Sequence, residues 1–288
     1  MSRPDRSDTP RAEASLFFIG NATTLIRFGE LTLLTDPNFL HAGQYAYLGH
    51  GLTSRRLTDP ALDVTALPPL DGVVLSHLHG DHWDRVAQRG LDRALPIVTT
   101  PHARTKLHHR GFGGAAGLAT WESTTLTHGA TSVRITALPG RHATGWVRHL
   151  LPPVMGSMLE FSTGGGPVEM RMYLSGDTLL IDDLAEIPAR FPRVDNGVLH
   201  LGGTRIPAGL RRGLMVTMDA VQGADLMQLI DPTVTIPVHF DDYTVFTSPL
   251  SDFRDEVQRR GLLDRVRFLE RGGTVPLAVR GDDGAVTP

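Results

Sequence analysis

Short apolar runs broken by polar turns fill most of this chain, and their periods predict the elements. Leu16 to Ile19, Thr24 to Phe28 and Leu31 to Leu34 are β-rich, with a turn at Gly29-Glu30, so the chain opens on a hairpin-rich sheet. Asp71 to Leu75 is continuous enough for a buried strand, and Pro96 to Thr99 for a short one. Helices are expected over Trp83 to Arg89, Ala103 to Arg110, Asp219 to Leu229 and Ser251 to Arg259. From Thr131 to Leu138, Val133, Ile135 and Ala137 alternate with Ser132, Arg134 and Thr136, the mark of a half-buried strand. Val168 to Ser175 alternates again, and Val198 to Leu201 and Thr233 to Val238 are further apolar strands. The chain closes with Val266 to Leu269, a turn at Arg271-Gly272-Gly273, and Thr274 to Val279.

Between these lie segments with little period. Met1 to Ala14 is charged and carries Pro4 and Pro10, which predicts a mobile tail. Phe39 to Leu67 holds His41, Tyr45, Tyr47, His50, Arg55 and Arg56 with few apolar repeats, and reads as a long surface loop. Gly111 to Gly117 reads as a glycine-rich connection, and His102, His108 and His109 as solvated surface histidines. No proline- or serine-rich linker and no repeat divides the rest, so residues 15–288 are expected to form one domain of mixed α/β class.

Composition narrows the chemistry. With 288 residues, 41% hydrophobic and 20% charged, the chain suits an ordinary globular core. No cysteine is present, so any metal must be held by nitrogen and oxygen donors. A net charge of −3 leaves no basic footprint, and nucleic acid is not expected as a partner. No stretch has the apolar length of a membrane span and the first residues are not signal-like, so a cytoplasmic location is the expectation.

The polar groups then fall into a pattern. Four apolar strands each end in metal-competent side chains: His77, His79, Asp81 and His82 after the first, then His142, Asp177 and His239. Strand ends that share one edge can converge, and seven such groups suffice for two metals with a position left for water. Zinc is the first expectation from this borderline donor set, with manganese or iron as alternatives. Asp36, at the end of another apolar strand, is either a turn residue before Pro37 or a support for a ligand histidine. His200 also ends a strand near the presumed site, as a packed neutral imidazole or a supporting group. After His142 comes a run mixing an aromatic, a cation and apolar residues, from which Trp146, Arg148 and Met155 are expected to line a substrate pocket, with Arg148 attracting a carboxylate or phosphate.

The ordered set His77-Leu78-His79-Gly80-Asp81-His82, His142, Ser175-Gly176-Asp177 and Pro237-Val238-His239 resembles the signature of metallo-β-lactamase-fold hydrolases, from about residue 15 to about residue 280. Phe18 to Thr23 with Thr35-Asp36-Pro37 is similar to the branch of ascorbate-6-phosphate lactonases and N-acylphosphatidylethanolamine phospholipase D-like enzymes. That resemblance implies a four-layer αββα sandwich with a binuclear metal centre at the sheet edges. It implies His77, His79 and His142 on one ion, Asp81, His82 and His239 on the other, and Asp177 as the bridge. The implied reaction is hydrolysis of a phosphodiester, lactone or related ester or amide of a small molecule by hydroxide held between the ions, with Asp81 orienting it. The chain departs from the branch at Asn21, usually histidine there, and at Thr217, near which the phospholipases carry a histidine. Gly-Asp-His after the second histidine disfavours the redox di-iron relatives. A redox or oxygen-handling metalloprotein on the same scaffold, and a non-catalytic binding protein, are the alternatives to a hydrolase.

Overall fold

A computed structural model describes residues 13–143, 145–206, 213–280 and 286–287. The expected tail therefore lies outside the described residues up to position 12, and the first strand already begins at Ala14. In chain order the strands are β1 (Ala14–Gly20), β2 (Thr23–Phe28), β3 (Leu31–Thr35), β4 (Tyr45–Gly49), β5 (Leu52–Arg55), β6 (Gly72–Val74), β7 (Ile97–Thr99), β8 (Ala115–Gly117), β9 (Ser123–His128), β10 (Thr131–Leu138), β11 (Gly156–Thr163), β12 (Met170–Leu174), β13 (Asn196–His200), β14 (Arg205–Ile206), β15 (Leu214–Met215), β16 (Val234–Val238), β17 (Thr274–Pro276), β18 (Val279–Arg280) and β19 (Val286–Thr287). The helices are α1 (Arg85–Gly90), α2 (Pro101–His109), α3 (Glu186–Arg190), α4 (Ala220–Ile230) and α5 (Leu250–Arg259).

Two sheets dominate, one of seven strands in the order β17-β1-β2-β3-β6-β7-β8 and one of six in the order β16-β13-β12-β11-β10-β9. Each is antiparallel at its hairpins and parallel toward one side, through β3-β6-β7-β8 in the first and β12-β13-β16 in the second. The period-two alternation of the sequence sorts the apolar side chains into three packed spaces. Leu16, Phe18, Ile26 and Leu33 of the first sheet meet Val133, Ile135, Met172 and Ile236 of the second in the space between the sheets. Ile19, Leu25, Leu34 and Val73 point the other way, onto Ala87 of α1 and Leu107 of α2. On the far side of the second sheet, Tyr173 and Leu199 pack against Leu226 and Met227 of α4 and Phe253 of α5. Helices, sheet, sheet and helices thus form the four-layer αββα sandwich, since each sheet buries both faces only with a helical layer outside it.

Several elements differ from the sequence expectation for local reasons. Phe39 to Leu67 is not one loop: β4 and β5 pair as a hairpin within it. Its inward-facing apolar residues are Ala46 and Leu48, against Leu40 and Tyr243, with the small polar Ser54 buried beside them, while Tyr45 and Tyr47 face out, so the alternation is short and reversed for the aromatics. Strand β9 escapes the pattern because most of its residues are polar and partly exposed, and β11 because six of its residues are buried in succession. Helix α1 starts at Arg85, two residues later than expected, because the Asp84 carboxylate accepts from Val86 N at 2.8 Å and Ala87 N at 2.7 Å and so caps it. The glycine-rich connection ends in β8, an edge strand parallel to β7. No helix among the described residues is long and apolar enough to cross a membrane.

Candidate metal centre

The parallel strands of both sheets run their C-terminal ends to one edge, and the polar groups that follow them meet there. After β6 the chain turns through His77, His79, Asp81 and His82; His142 follows β10, Asp177 follows β12 and His239 follows β16 directly. Two clusters result with donor atoms within 4.8 Å of one another, His77 with His79 and His142, and Asp81 with His82, Asp177 and His239. The seven side chains singled out from the sequence are thus brought to one place. All are buried except His79, which is half-buried.

The far nitrogens of these rings are fixed, and that decides where the near ones aim. His142 Nδ1 is 3.0 Å from the carbonyl of Val216 and His239 Nδ1 is 3.0 Å from that of Leu201, so each donates its proton backwards and turns the Nε2 lone pair into the site. His82 Nδ1 lies 3.0 Å from Asp36 Oδ2 and His77 Nδ1 lies 3.0 Å from Ser76 Oγ. Facing inward, His82 Nε2 and His239 Nε2 stand 3.1 Å apart, and His77 Nε2 stands 3.0 Å from His79 Nδ1. Ring nitrogens this close need a proton or a metal cation between them. His79 Nε2, His142 Nε2, Asp81 Oδ1 and Asp177 Oδ1 are buried with no hydrogen-bond partner, a cost of roughly 1–3 kcal/mol each if left so. Imidazole and carboxylate donors, orphaned and convergent, fit divalent metal ions.

Electrostatics give the same answer. The carboxylates of Asp36, Asp81 and Asp177 are buried, and their charged neighbours are histidines rather than lysine or arginine. Burial alone would push His82 toward neutrality, but the charges of Asp177, Asp36 and Asp81 hold its imidazole well above the usual range. Burial also raises carboxyl pKa values, yet His239 and His82 hold Asp177 well below the ordinary range, and His82 and His239 lower Asp81. At the other cluster, burial lowers His142, takes His79 down to about 3, and drops His77 well below its ordinary value. Neutral imidazoles there and surplus negative charge beside them suit cation binding.

Supporting groups complete the frame. Asp36 accepts from Ser76 N at 2.7 Å and faces both His82 Nδ1 and His200 Nε2, the latter at 3.2 Å. It is thus a support rather than a mere turn residue. His82 and His200, through charge and hydrogen bonds, hold its carboxyl below the ordinary range against the upward push of burial. His200 has Asp36 on one nitrogen and Ser175 Oγ, 3.2 Å away, on the other, so it stands behind the site. Asn21 gives its side-chain amide to the Asp81 carbonyl at 2.6 Å, and its own carbonyl accepts from His239 N at 2.7 Å. Thr217 donates to Asp177 Oδ2 at 3.0 Å. The two departures noted in the sequence therefore sit against the centre as ligand-orienting groups. Asn21, Asp36 and His239 all have positive φ, of 54°, 34° and 61°, an unfavourable backbone state for side-chain-bearing residues that concentrates at functional sites.

Sequence reasoning missed the anchor under this frame. Arg56, expected on a surface loop, is fully buried, with Nε on the Thr58 carbonyl at 2.9 Å, Nη1 on Asn38 Oδ1, and the guanidinium 5.1 Å from the Tyr243 ring centre. It faces Asp242 at 3.8 Å, whose carboxylate also accepts from Asn21 N at 2.6 Å. Asn38 in turn reaches the Gly80 carbonyl at 3.0 Å. Gly80 lies so close to β4 that an added Cβ would stand 2.6 Å from Tyr47 N and 2.7 Å from Tyr47 O, which explains a glycine inside the metal motif.

The expected substrate wall divides. Arg148 lines a cavity of about 770 Å³ that His79 also lines, together with the β4–β5 hairpin tip. Met155 does not: it is buried between the sheets and lines a small internal space with Asp36 and His200. Trp146 belongs to the 3-10 turn Gly145–His149, and its side chain lies outside the described residues.

Comparison with known proteins agrees with this architecture. A metal-dependent hydrolase (UPF0173) of Deinococcus radiodurans is 27% identical over 244 residues, covering 78% of this chain and 92% of the relative. The crystal structure of a possible metal-dependent hydrolase from Veillonella parvula has a TM-score of 0.76 at 23% identity, over 92% of this chain and 99% of that one. An isothiocyanate hydrolase from Delia radicum gut bacteria has a TM-score of 0.73 at 19% identity, over 91% and 99%. Residues 32–240 match the beta-lactamase superfamily domain, and with that match, the four layers and the edge-of-sheet cluster, the chain belongs to the beta-lactamase superfamily.

Proposed function

We propose that the protein is a metal-dependent hydrolase with a binuclear centre. The observation that carries this reading is the set of buried, unpartnered donor atoms on His79, His142, Asp81 and Asp177 at the shared sheet edge. In this reading His77, His79 and His142 would hold one ion and Asp81, His82 and His239 the other, with Asp177, which clusters with the second group, the residue that would be shared. Zinc suits the mixed imidazole and carboxylate donors, with manganese or iron as alternatives. Bound there, divalent ions supply water of lowered pKa and polarise the group to be cleaved.

The chain's own residues do the rest. Val216 and Leu201 carbonyls fix the His142 and His239 tautomers, Asp36 holds His82, and Thr217 orients Asp177. Asp81, its Oδ1 unpartnered, would orient the attacking water. No serine or cysteine nucleophile is needed. Arg148, on the cavity wall, attracts an anionic substrate. The substrate is a small phosphodiester, lactone, ester or amide. The relatives named as metal-dependent hydrolases support the class.

The test is elemental analysis of protein purified without added metal, with a panel of generic phosphodiester, lactone and ester substrates. About two equivalents of metal and hydrolysis of at least one class are expected. No metal uptake, and no hydrolysis after zinc or manganese is restored, would defeat the reading; oxygen consumption by an iron-loaded form would favour the redox alternative instead.

A further inference from the structure

The cavity that Arg148 lines is also lined by α2 and its C-terminal cap. His102, Lys106 and Arg110 follow one another at intervals of four residues, which stacks them on one helix face, while Ala103 and Leu107 bury the other face in the core. All three line the cavity of about 770 Å³, and so does His79. No carboxylate does.

That charge is uncompensated. Some surface arginines elsewhere meet carboxylates, as Arg141 meets Asp183 at 3.0 Å, Arg260 meets Asp225 at 2.6 Å and Arg265 meets Asp231 at 2.6 Å, while others such as Arg27 and Arg104 do not among the described residues. Among the described residues, Lys106, Arg110 and Arg148 have no carboxylate within salt-bridge distance, and Arg148 reaches only its neighbour His149 Nε2 at 3.2 Å. A second observation points the same way: His102 Nδ1 is buried and has no partner. Its imidazole is lowered by burial and by Lys106, and so stays neutral beside that cation. The same cavity is also lined by the apolar Leu48, Leu78, Leu150 and Leu151. The His50 ring, 2.6 Å from the Leu150 carbonyl, ties the hairpin tip to the segment that closes this side.

We propose that His102, Lys106 and Arg110 form a subsite for an acidic group of the substrate, carboxylate or phosphate, separated by an apolar stem from the bond cleaved near His79. The proposal rests on the hydrolase reading for the cleavage but not for the binding. An acid in this subsite gains two cations and a partner for His102, while the leucines cover the stem. The substrate class is then an ester, lactone or amide that carries a remote negative charge.

Three p-nitrophenyl esters of matched length separate the alternatives: the hexanoate, which is neutral, the adipate monoester, and the 6-phosphooxyhexanoate. The Lys106→Gln, Arg110→Gln double variant removes both permanent charges from exposed positions. For one or both anionic esters, its kcat/KM relative to the neutral ester is expected to fall about 10-fold from the wild-type ratio, with the change in KM. Which ester responds tells carboxylate from phosphate. Calorimetric titration of the metal-loaded protein with adipate and with 6-phosphooxyhexanoate reads the subsite without turnover, and a similar loss of affinity is expected. Should the wild type cleave none of the esters, the hydrolase reading suffers and the titration alone decides the subsite. An unchanged ratio together with unchanged affinity, or binding of neither acid by the wild type, would overturn the proposal.

Discussion

The metal centre and the groove beside it share His79 yet are built by opposite means. At the centre, the side chains follow the ends of strands, and most are oriented by backbone carbonyls, hydroxyls or a buried carboxylate, as His142 is by Val216, Asp177 by Thr217 and His82 by Asp36. In the groove, the chemistry-bearing residues Lys106, Arg110 and Arg148 are exposed and their heads are held by no ion pair among the described residues. The contrast separates two jobs. On the proposed function, reaction geometry is tied to sheet topology, which does not yield, whereas selectivity would rest on long side chains on a helix and a short turn, which can change without unfolding anything.

Substitutions can break this division or sharpen it. The largest effect is expected for Asp177→Ala, which should lower turnover of every substrate by at least about 10²-fold and reduce bound metal, as read by elemental analysis. Undiminished turnover would remove Asp177 from the bridge. Asp36→Asn leaves all seven donors present but weakens the grip on His82, and metal affinity from competition with a chelator should fall roughly 10- to 100-fold. Gly80→Ala attacks the seam between the two regions, because the new methyl group would press on the Tyr47 backbone. It should shift metal affinity and KM together, each on the order of 10-fold, whereas a change in only one would mean that hairpin and motif loop are not coupled. The smallest effect is expected for Arg148→Ala, an increase of about 5-fold in KM for an anionic substrate with kcat and metal content intact. An unchanged KM would take Arg148 out of recognition.

What could be read from the sequence follows the same line. The seven metal-competent groups were legible because each follows an apolar strand, and period and polarity change together there. Asp36 and His200 were visible as strand-end polar residues, but only the fold shows that they meet each other through a shared carboxylate oxygen. Arg56 was illegible: its partners Asn38, Asp242 and Tyr243 are distant in sequence, and an arginine in a polar stretch carries no mark of burial. Met155 misled for the converse reason, since proximity to Arg148 along the chain says nothing about the face a residue takes once β11 begins. Lys106 and Arg110 looked like ordinary helix surface, which locally they are. Their significance lies in what else lines the cavity.

The left-handed backbone at Asn21, Asp36 and His239 bears on how the chain reaches this state. Such conformations are disfavoured, by roughly 1–3 kcal/mol each, until something outside the local segment holds them. What holds them spans the chain: Asn21 is bonded to Asp242 and Asp81, Asp36 to Ser76 and His200, and His239 to Asn21 and Leu201. Three of these bonds, Asn21 to Asp242, Asp36 to His200 and His239 to Asn21, join the two sheets and cannot form before the sheets have docked. Contacts this distant in sequence are slow to make. The complete centre therefore assembles late, and a chain that has formed its hairpins and the two outer helix-on-sheet layers still lacks a complete place to put a metal.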